Sequence, residues 1–256
     1  MYQAKNFLSF DTKLVVGYKS ETQKIRIMTE SWVKERAFCP NCGNEITKYD
    51  NNRPVADFYC KNCLNDFELK SKRDSIGTKI VDGAYRTMIE RIHSDKNPSF
   101  FFMNYRDYAV ENLLVIPKHF FIDNIIEKRN PLADSARRAG WIGCNILLNK
   151  IPESGRVYYV KHSKIIPRES VISEYNKTKF LQQPLESRGW LLDVMNCVDD
   201  IKKRIFSLDE IYNYEKVLKL KHPDNKHIKD KIRQQLQFLR DKGYLEFKGD
   251  GKYELI

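Results

Sequence analysis

Cys39-Pro-Asn-Cys42 and Cys60-Lys-Asn-Cys63 form two CxxC pairs with 17 residues between Cys42 and Cys60. One tight turn presents both sulfurs of a pair to a single ion, and two such turns complete a tetrahedron. Thiolates suit the soft side of Zn²⁺, and the spacing lies inside the range expected of a four-cysteine zinc site. Four protein ligands leave no open position, so a zinc over residues 39–63 is structural. Gly43 follows the first pair, where such a turn favours a residue tolerant of positive φ. The competing reading is a thioredoxin-like redox pair. Cys144 and Cys197 stand alone and read as buried small hydrophobes. The five histidines, His93, His119, His162, His222 and His227, show no ligand or triad spacing.

A second constellation overlaps the first. Pro54-Val-Ala-Asp57 lies inside the cysteine segment, and Phe67-Glu68-Leu69-Lys70 follows it. Side chains alternate faces along a strand, so Glu68 and Lys70 point one way while Leu69 points into a core. If Asp57 borders a neighbouring strand, its carboxylate meets that of Glu68. Two converging carboxylates offer the hard oxygens that Mg²⁺ takes, with its remaining positions left to water and substrate phosphate. The Lys70 ammonium beside them can orient a water and offset phosphate charge, an apparatus for hydrolysing a phosphodiester. An acid two residues before a lysine is also common on a solvated strand face.

Elements must bring these groups together. Ser20 with Gln23 is a capping-box pattern, and Ile25, Met28, Trp32 and Val33 recur at helical spacing, so 20–36 reads as an amphipathic helix. Residues 80–92 read as a second helix. Phe100–Met103, Leu113–Ile116 and Arg156–Val160 read as buried strands. Helices mixed with strands place the chain in the α/β or α+β class. No internal repeat stands out. Composition shifts near Gln182-Gln-Pro184, which divides the chain into 1–183 and 184–256. In the tail, Ser207-Leu-Asp-Glu210 is a capping box opening a helix to about Lys221. Ile228, Ile232, Leu236 and Leu239 stripe a further helix, and Tyr244–Lys248, Gly249-Asp-Gly251 and Lys252–Leu255 read as strand, turn, strand. Helices followed by a basic hairpin are the pattern of a winged helix, a variant of the DNA-binding helix-turn-helix.

Composition supports a polyanionic partner. The 256 residues carry 45 Lys+Arg against 34 Asp+Glu, a net charge of +11. Residues 1–183 hold 30 and 21 of these, and the tail 15 and 13, so the excess is concentrated in the first part. With 14 Tyr, 14 Phe and 3 Trp, the chain has material for a packed core. No apolar run approaches the ~18 residues of a membrane span. The opening residues lack the order of a secretory signal. A cytoplasmic protein that binds no membrane is expected, and the absence of dimerisation heptads favours a monomer.

Pro54-x-x-Asp57 with Glu68-Leu69-Lys70 resembles the PD-(D/E)XK nuclease pattern, here with Cys60 and Cys63 between its parts. Asn51–Cys60, Ala136–Asn145 and Ile232–Gln237 are similar to the corresponding text of the DpnI-like methyl-directed restriction endonucleases, and the similarity spans nearly the whole chain in order. The resemblance implies a PD-(D/E)XK core with an inserted zinc site and a C-terminal winged helix. It implies a type II enzyme that cuts double-stranded DNA at GATC when the adenine carries an N6-methyl group, using Mg²⁺. Carried over, Asp57 and Glu68 bind the magnesium, the Leu69 carbonyl completes its site, and Lys70 serves the attacking water. Glu30 or Glu35 on the first helix could add an acid.

The N6-methyl group projects into the major groove beside hydrogen-bonding base edges. With the stripe of the last helix facing inward, Arg233, Gln234 and Gln237 lie opposite and Lys226 near its start. Arg suits guanine and Gln adenine by bidentate geometry, and a solvated helix face is the alternative. Lys248 and Lys252 flank the hairpin tip and suit phosphates. Arg137-Arg138-Ala-Gly-Trp141 places two cations and an indole in one loop. Trp141 could pack on the methylated base or be ordinary core. The other function class is a zinc-ribbon and winged-helix regulator without catalysis, which has no need of Asp57, Glu68 and Lys70 together.

Overall fold

The computed structural model describes residues 7–50, 56–94 and 97–256, with Glu186 described by its backbone alone. Contacts divide the chain into two units, one drawn from residues 1–149 and 154–179, the other from 150–153 and 180–256. In the first, the described elements run α1 (Glu21–Arg36), β1 (Thr47–Lys48), β2 (Phe58–Tyr59), β3 (Asp66–Arg73), β4 (Lys79–Ala84), α2 (Tyr85–Ile92), β5 (Ser99–Arg106), β6 (Ala109–Ile116), β7 (Ile126–Lys128), β8 (Gly143–Leu147), β9 (Val157–Lys161), β10 (Lys164–Ile165) and α3 (Arg168–Lys177). Short 3-10 turns link several of them.

Phe100, Phe101 and Phe102 are wholly buried in succession. A strand apolar on both faces belongs inside a covered sheet, not at its rim. β5 accordingly lies at the centre of a seven-stranded sheet of order β1-β2-β3-β5-β6-β9-β10. It pairs parallel with β3, with Glu68 opposite Phe100 and Lys70 opposite Phe102. The segment joining these parallel strands carries β4 and α2. The Ser20 hydroxyl caps α1 by accepting from Gln23 N, and Met28, Trp32 and Val33 are buried against the sheet's core.

The expected helix over 80–92 is not one element. Its first part is β4, paired antiparallel with β8 in a second sheet of order β4-β8-β7, and only Tyr85–Ile92 is helical. β-branched Ile80 and Val81 with Gly83 disfavour a helix start, and the register of β4 shifts between Asp82 and Ala84, around Gly83.

The second unit runs α4 (Leu185–Ile201), β11 (Ile205–Ser207), α5 (Leu208–Tyr212), α6 (Glu215–Lys221), α7 (Ile228–Asp241), β12 (Leu245–Gly249) and β13 (Lys252–Leu255). The Ser207–Glu210 capping box is complete in both directions. The helix it opens stops at Asn213, a residue that favours caps over helix interiors, so the expected run to Lys221 is two short helices. Ile228, Ile232, Leu236 and Leu239 are all buried, as their spacing predicts. β12 and β13 form a three-stranded sheet with β11, turning through Gly249, Asp250 and Gly251 at φ +87°, +46° and +68°. Among the described residues no helix is long and apolar enough to cross a membrane.

Phe101 anchors the central strand, touching Phe67 and Tyr159 at ring-centroid distances of 5.1 and 5.6 Å. Phe101→Ala is expected to cost about 3–5 kcal/mol of stability, read from the urea midpoint.

Candidate active site and metal centre

The four cysteines come together as two copies of one turn. In the first, Gly43 N donates to Cys39 O and Cys39 N to Asn44 O. In the second, Leu64 N donates to Cys60 O and Cys60 N to Asn65 O, at lengths of 2.7 to 2.9 Å throughout. Asn44 and Asn65 each aim Nδ2 at the second sulfur of their own turn, Cys42 and Cys63. The sequence therefore does repeat, as Cys-x-Asn-Cys-x-Asn at 39–44 and 60–65. Six residues are too few to stand out before the matching hydrogen bonds reveal them. The position after the second Cys of each turn needs positive φ: Gly43 supplies it at +77°, but the second copy puts Leu64 there at +57°.

All four sulfurs lie within 4.8 Å of one another, with Cys39–Cys63 at 3.4 Å and Cys42–Cys60 at 3.5 Å. Zinc–sulfur bonds of about 2.3 Å would place tetrahedral thiolates about 3.8 Å apart. The cluster could thus hold zinc with small adjustments. Burial pushes the Cys39 thiol up, while Cys42, although burial opposes it, falls to about 6 under hydrogen bonds from Asn44.

The second turn of this centre lies between Asp57 and Glu68, and so draws β2 and β3 into a hairpin. Asp57, immediately before β2, donates its N–H to Phe67 O at 2.9 Å. Its Oδ2 accepts from Leu69 N at 2.7 Å. Pro54 and the rest of 51–55 lie outside the described residues. Glu68 and Lys70 emerge on one face of β3, 2.6 Å apart, while Leu69 packs against the core. Asp57, Glu68 and Lys70 line one cleft of about 730 Å³, closed on another side by Arg26, Thr29 and Glu30 of α1.

Of the two acids expected on α1, only Glu30 enters the cleft. It is buried and bonded to Arg26 at 2.6 Å and Lys48 at 2.7 Å. Glu35 is exposed and takes the Ser31 hydroxyl.

Two residues that sequence reasoning missed complete the charge arrangement. Asp82 of β4, its side chain 6% exposed, forms an ion pair with Lys70. Arg91 of α2 donates to the second oxygen of Glu68 at 2.8 Å. Neither carries a local signal, since each acts across a sheet boundary that only the crossover of β4 and α2 creates. Burial pulls the Lys70 ammonium down, but the adjoining carboxylates of Glu68 and Asp82 more than offset that and raise it above its ordinary value. Burial, with the charges of Glu68 and Glu30, pushes the Asp57 carboxyl above its usual range despite the Leu69 N–H bond. A carboxylate unsettled by neighbouring carboxylates is what a hard cation relieves, so this donor set fits a divalent metal.

The remaining site residues fall into two places. In the first unit, the Arg138 guanidinium lies 4.4 Å from the Trp141 ring centroid, and Arg137 is exposed. Trp141 is half-buried, packed so close to Gly143 that a Cβ there would stand 2.9 Å from the indole. In the second unit, Lys226, Arg233, Gln234 and Gln237 are exposed on or just before α7. Arg233 is held by the Tyr212 hydroxyl, and Gln234 by Lys231 at 2.7 Å. Lys248 is exposed but pairs with Glu246 and Glu254 at 3.2 and 3.1 Å, whereas Lys252 forms no ion pair among the described residues.

Comparison with known families agrees with both units. A family model described as DpnI, the Dam-replacing family, matches residues 7–184, more than half of the chain. A second, described as a Dam-replacing HTH domain, matches residues 186–255.

Leu64 is 81% exposed, so it gains little packing in return for its left-handed backbone. Leu64→Gly is expected to raise stability by about 0.5–1 kcal/mol, visible as a higher Tm. The raised Asp57 pKa also has a sign. The folded state holds that proton more tightly than the unfolded chain, so the group's contribution to stability declines as pH rises from the unfolded to the folded pKa. Asp57→Asn should remove that decline and melt higher than the unsubstituted protein at neutral pH in magnesium-free buffer. Melts at about pH 4 and pH 7 check it.

Proposed function

Because the chain belongs to the Dam-replacing family, we propose that it is a type II endonuclease cutting duplex DNA at GATC sites that carry N6-methyladenine, with Mg²⁺ as catalytic cofactor and Zn²⁺ as structural metal. Membership makes the chain a restriction-type nuclease acting on DNA, with a helix-turn-helix domain that binds it. The observation that carries the finer reading is the convergence of Asp57, Glu68 and Lys70 on one cleft.

In this reading the chain divides at 183/184 into a PD-(D/E)XK domain and a winged helix. Asp57, Glu68 and the Leu69 carbonyl hold magnesium, which when bound polarises the scissile phosphate. Asp57 is aimed by the Leu69 amide. Glu68 is kept on the cleft face by Arg91. Lys70, held between Glu68 and Asp82, orients the attacking water and offsets charge developing on the phosphate. Cys39, Cys42, Cys60 and Cys63 bind the zinc that keeps Asp57 beside β3, with ligand deprotonation coupling metal binding to folding.

Arg137 and Arg138 contact phosphate or guanine, and Trp141 packs near the methylated base. Arg233, Gln234 and Gln237 read base edges, with Arg233 pre-set by Tyr212. Lys226 and Lys252 contact phosphate. Lys248 also does so once it gives up its carboxylate partners, at a cost Lys252 does not bear. Such an enzyme spares an unmethylated host genome and cuts incoming methylated DNA. A non-catalytic zinc-ribbon and winged-helix regulator is the competing class. Carboxylates gathered around one cleft are a cost such a regulator has no reason to keep.

Plasmids from adenine-methylating and non-methylating hosts, incubated with the zinc-loaded protein and Mg²⁺, decide the matter: only the methylated plasmid is expected to be cut. Asp57→Ala should lose at least the 10–100-fold typical of an outer-shell metal partner, while still binding the methylated duplex. Equal cutting of both plasmids defeats the methyl-directed reading, and cutting of neither defeats the enzyme.

A further inference from the structure

The cleft that holds Asp57 and Glu68 continues past them, and its outer wall has no part in the chemistry above. Glu68, Lys70 and Lys72 share one face of β3, and Arg73 ends the strand. Lys72 and Arg73 both line the cleft and are exposed. Neither makes an ion pair among the described residues, whereas Lys24, Arg26, Lys48, Lys70 and Arg91 each meet a carboxylate. Two unpaired cations beside a phosphodiester-cleaving centre are an anion subsite.

The β5–β6 turn stands on the same cleft. Arg106 pairs with Ala109, so Asp107 and Tyr108 form a two-residue hairpin loop with φ of +48° and +55°. Loops of this kind favour Asn-Gly, and a tyrosine in the left-handed region is an outlier. The surroundings hold it there: Phe10 N donates to Tyr108 O at 2.7 Å, and Ser9 bridges Ala109. The strained backbone serves no packing need, since Tyr108 is 48% exposed and its ring meets no other ring among the described residues. Strain that the surroundings enforce, on a side chain presented into a cleft, points to a ligand.

We propose that Lys72, Arg73 and Tyr108 form a subsite for the DNA sugar-phosphate backbone flanking the scissile bond. The two cations bind phosphate, and Tyr108 gives its hydroxyl to phosphate and its ring to the adjoining sugar. Two to three strand residues beyond Lys70 correspond to about 7–10 Å, or about two to three nucleotides of duplex rise. Asp107, exposed on the same wall, opposes the bound strand. The subsite carries no base-reading group, so it adds affinity without sequence or methyl discrimination. It rests on the nuclease reading above.

The test measures binding of methylated and unmethylated duplexes by fluorescence anisotropy in magnesium-free buffer across a salt series. Lys72→Ala and Arg73→Ala should each weaken binding of both duplexes alike and lessen the slope of log K against log[salt] by about 0.9. Tyr108→Gly should raise Tm by about 2–4 °C while weakening binding severalfold, and Tyr108→Phe should lose only part of that affinity. Asp107→Asn should tighten binding. Unchanged salt slopes in both lysine and arginine variants, or a Tyr108→Gly protein that binds as tightly as the parent, would overturn the subsite. If the parent itself binds neither duplex, the nuclease reading fails first.

Discussion

Carboxylates cannot be gathered in a protein interior without cations to match them. Around the midpoint of β3, Asp57, Glu68, Asp82 and Glu30 are answered by Lys70, Arg91, Arg26 and Lys48, with the Leu69 amide holding Asp57. Removing one partner from such a set leaves an uncompensated buried charge, a cost of several kcal/mol. The elements that supply the partners are correspondingly dispersed: α1, the strands β1 and β3 of the seven-stranded sheet, and β4 and α2 of the crossover. Much of the first unit's layout can be understood as what is needed to bring these charges into register.

The match between sequence and structure follows how local each signal is. The CxxC pairs, the stripe of α7, the Ser207 capping box and the alternation of Glu68 and Lys70 each depend on a few neighbouring residues, and all are legible in the text. Asp82 and Arg91 are not, because nothing near them in sequence distinguishes them. Their partners lie across strand pairings with separations of 12 and 23 residues. The misjudged segment, 80–92, fails for the same reason. Its apolar spacing is compatible with a helix, and only the pairing of β4 with β8 makes its first half a strand. Likewise Glu30 and Glu35 look equivalent in sequence, and five positions on one helix decide which of them faces the cleft.

The second unit shows local consistency of another kind. Its capping box, buried stripe and glycine-flanked turn all point to one small fold, and most of its polar residues lie at the surface, with Asp193 and Gln235 buried. Arg233 does not hang free there, because the Tyr212 hydroxyl and ring hold its guanidinium. A side chain ordered before its ligand arrives loses less freedom on contact, which favours specificity over adaptability. The contrast between Lys248, tied to two glutamates, and Lys252 shows that charge at a hairpin tip is not interchangeable even over four positions.

The parallel pairing of β3 with β5 sets Glu68 opposite Phe100 and Lys70 opposite Phe102. Had β3 slipped by one residue, Phe67 and Leu69 would turn toward the charges of Asp82 and Arg91, and Glu68 and Lys70 would turn into the apolar cluster around Phe101 and Met103. The slip that would break up the charged cluster is therefore one the hydrophobic core already rejects. Custody of the charges is thus left to the least specific force in the molecule.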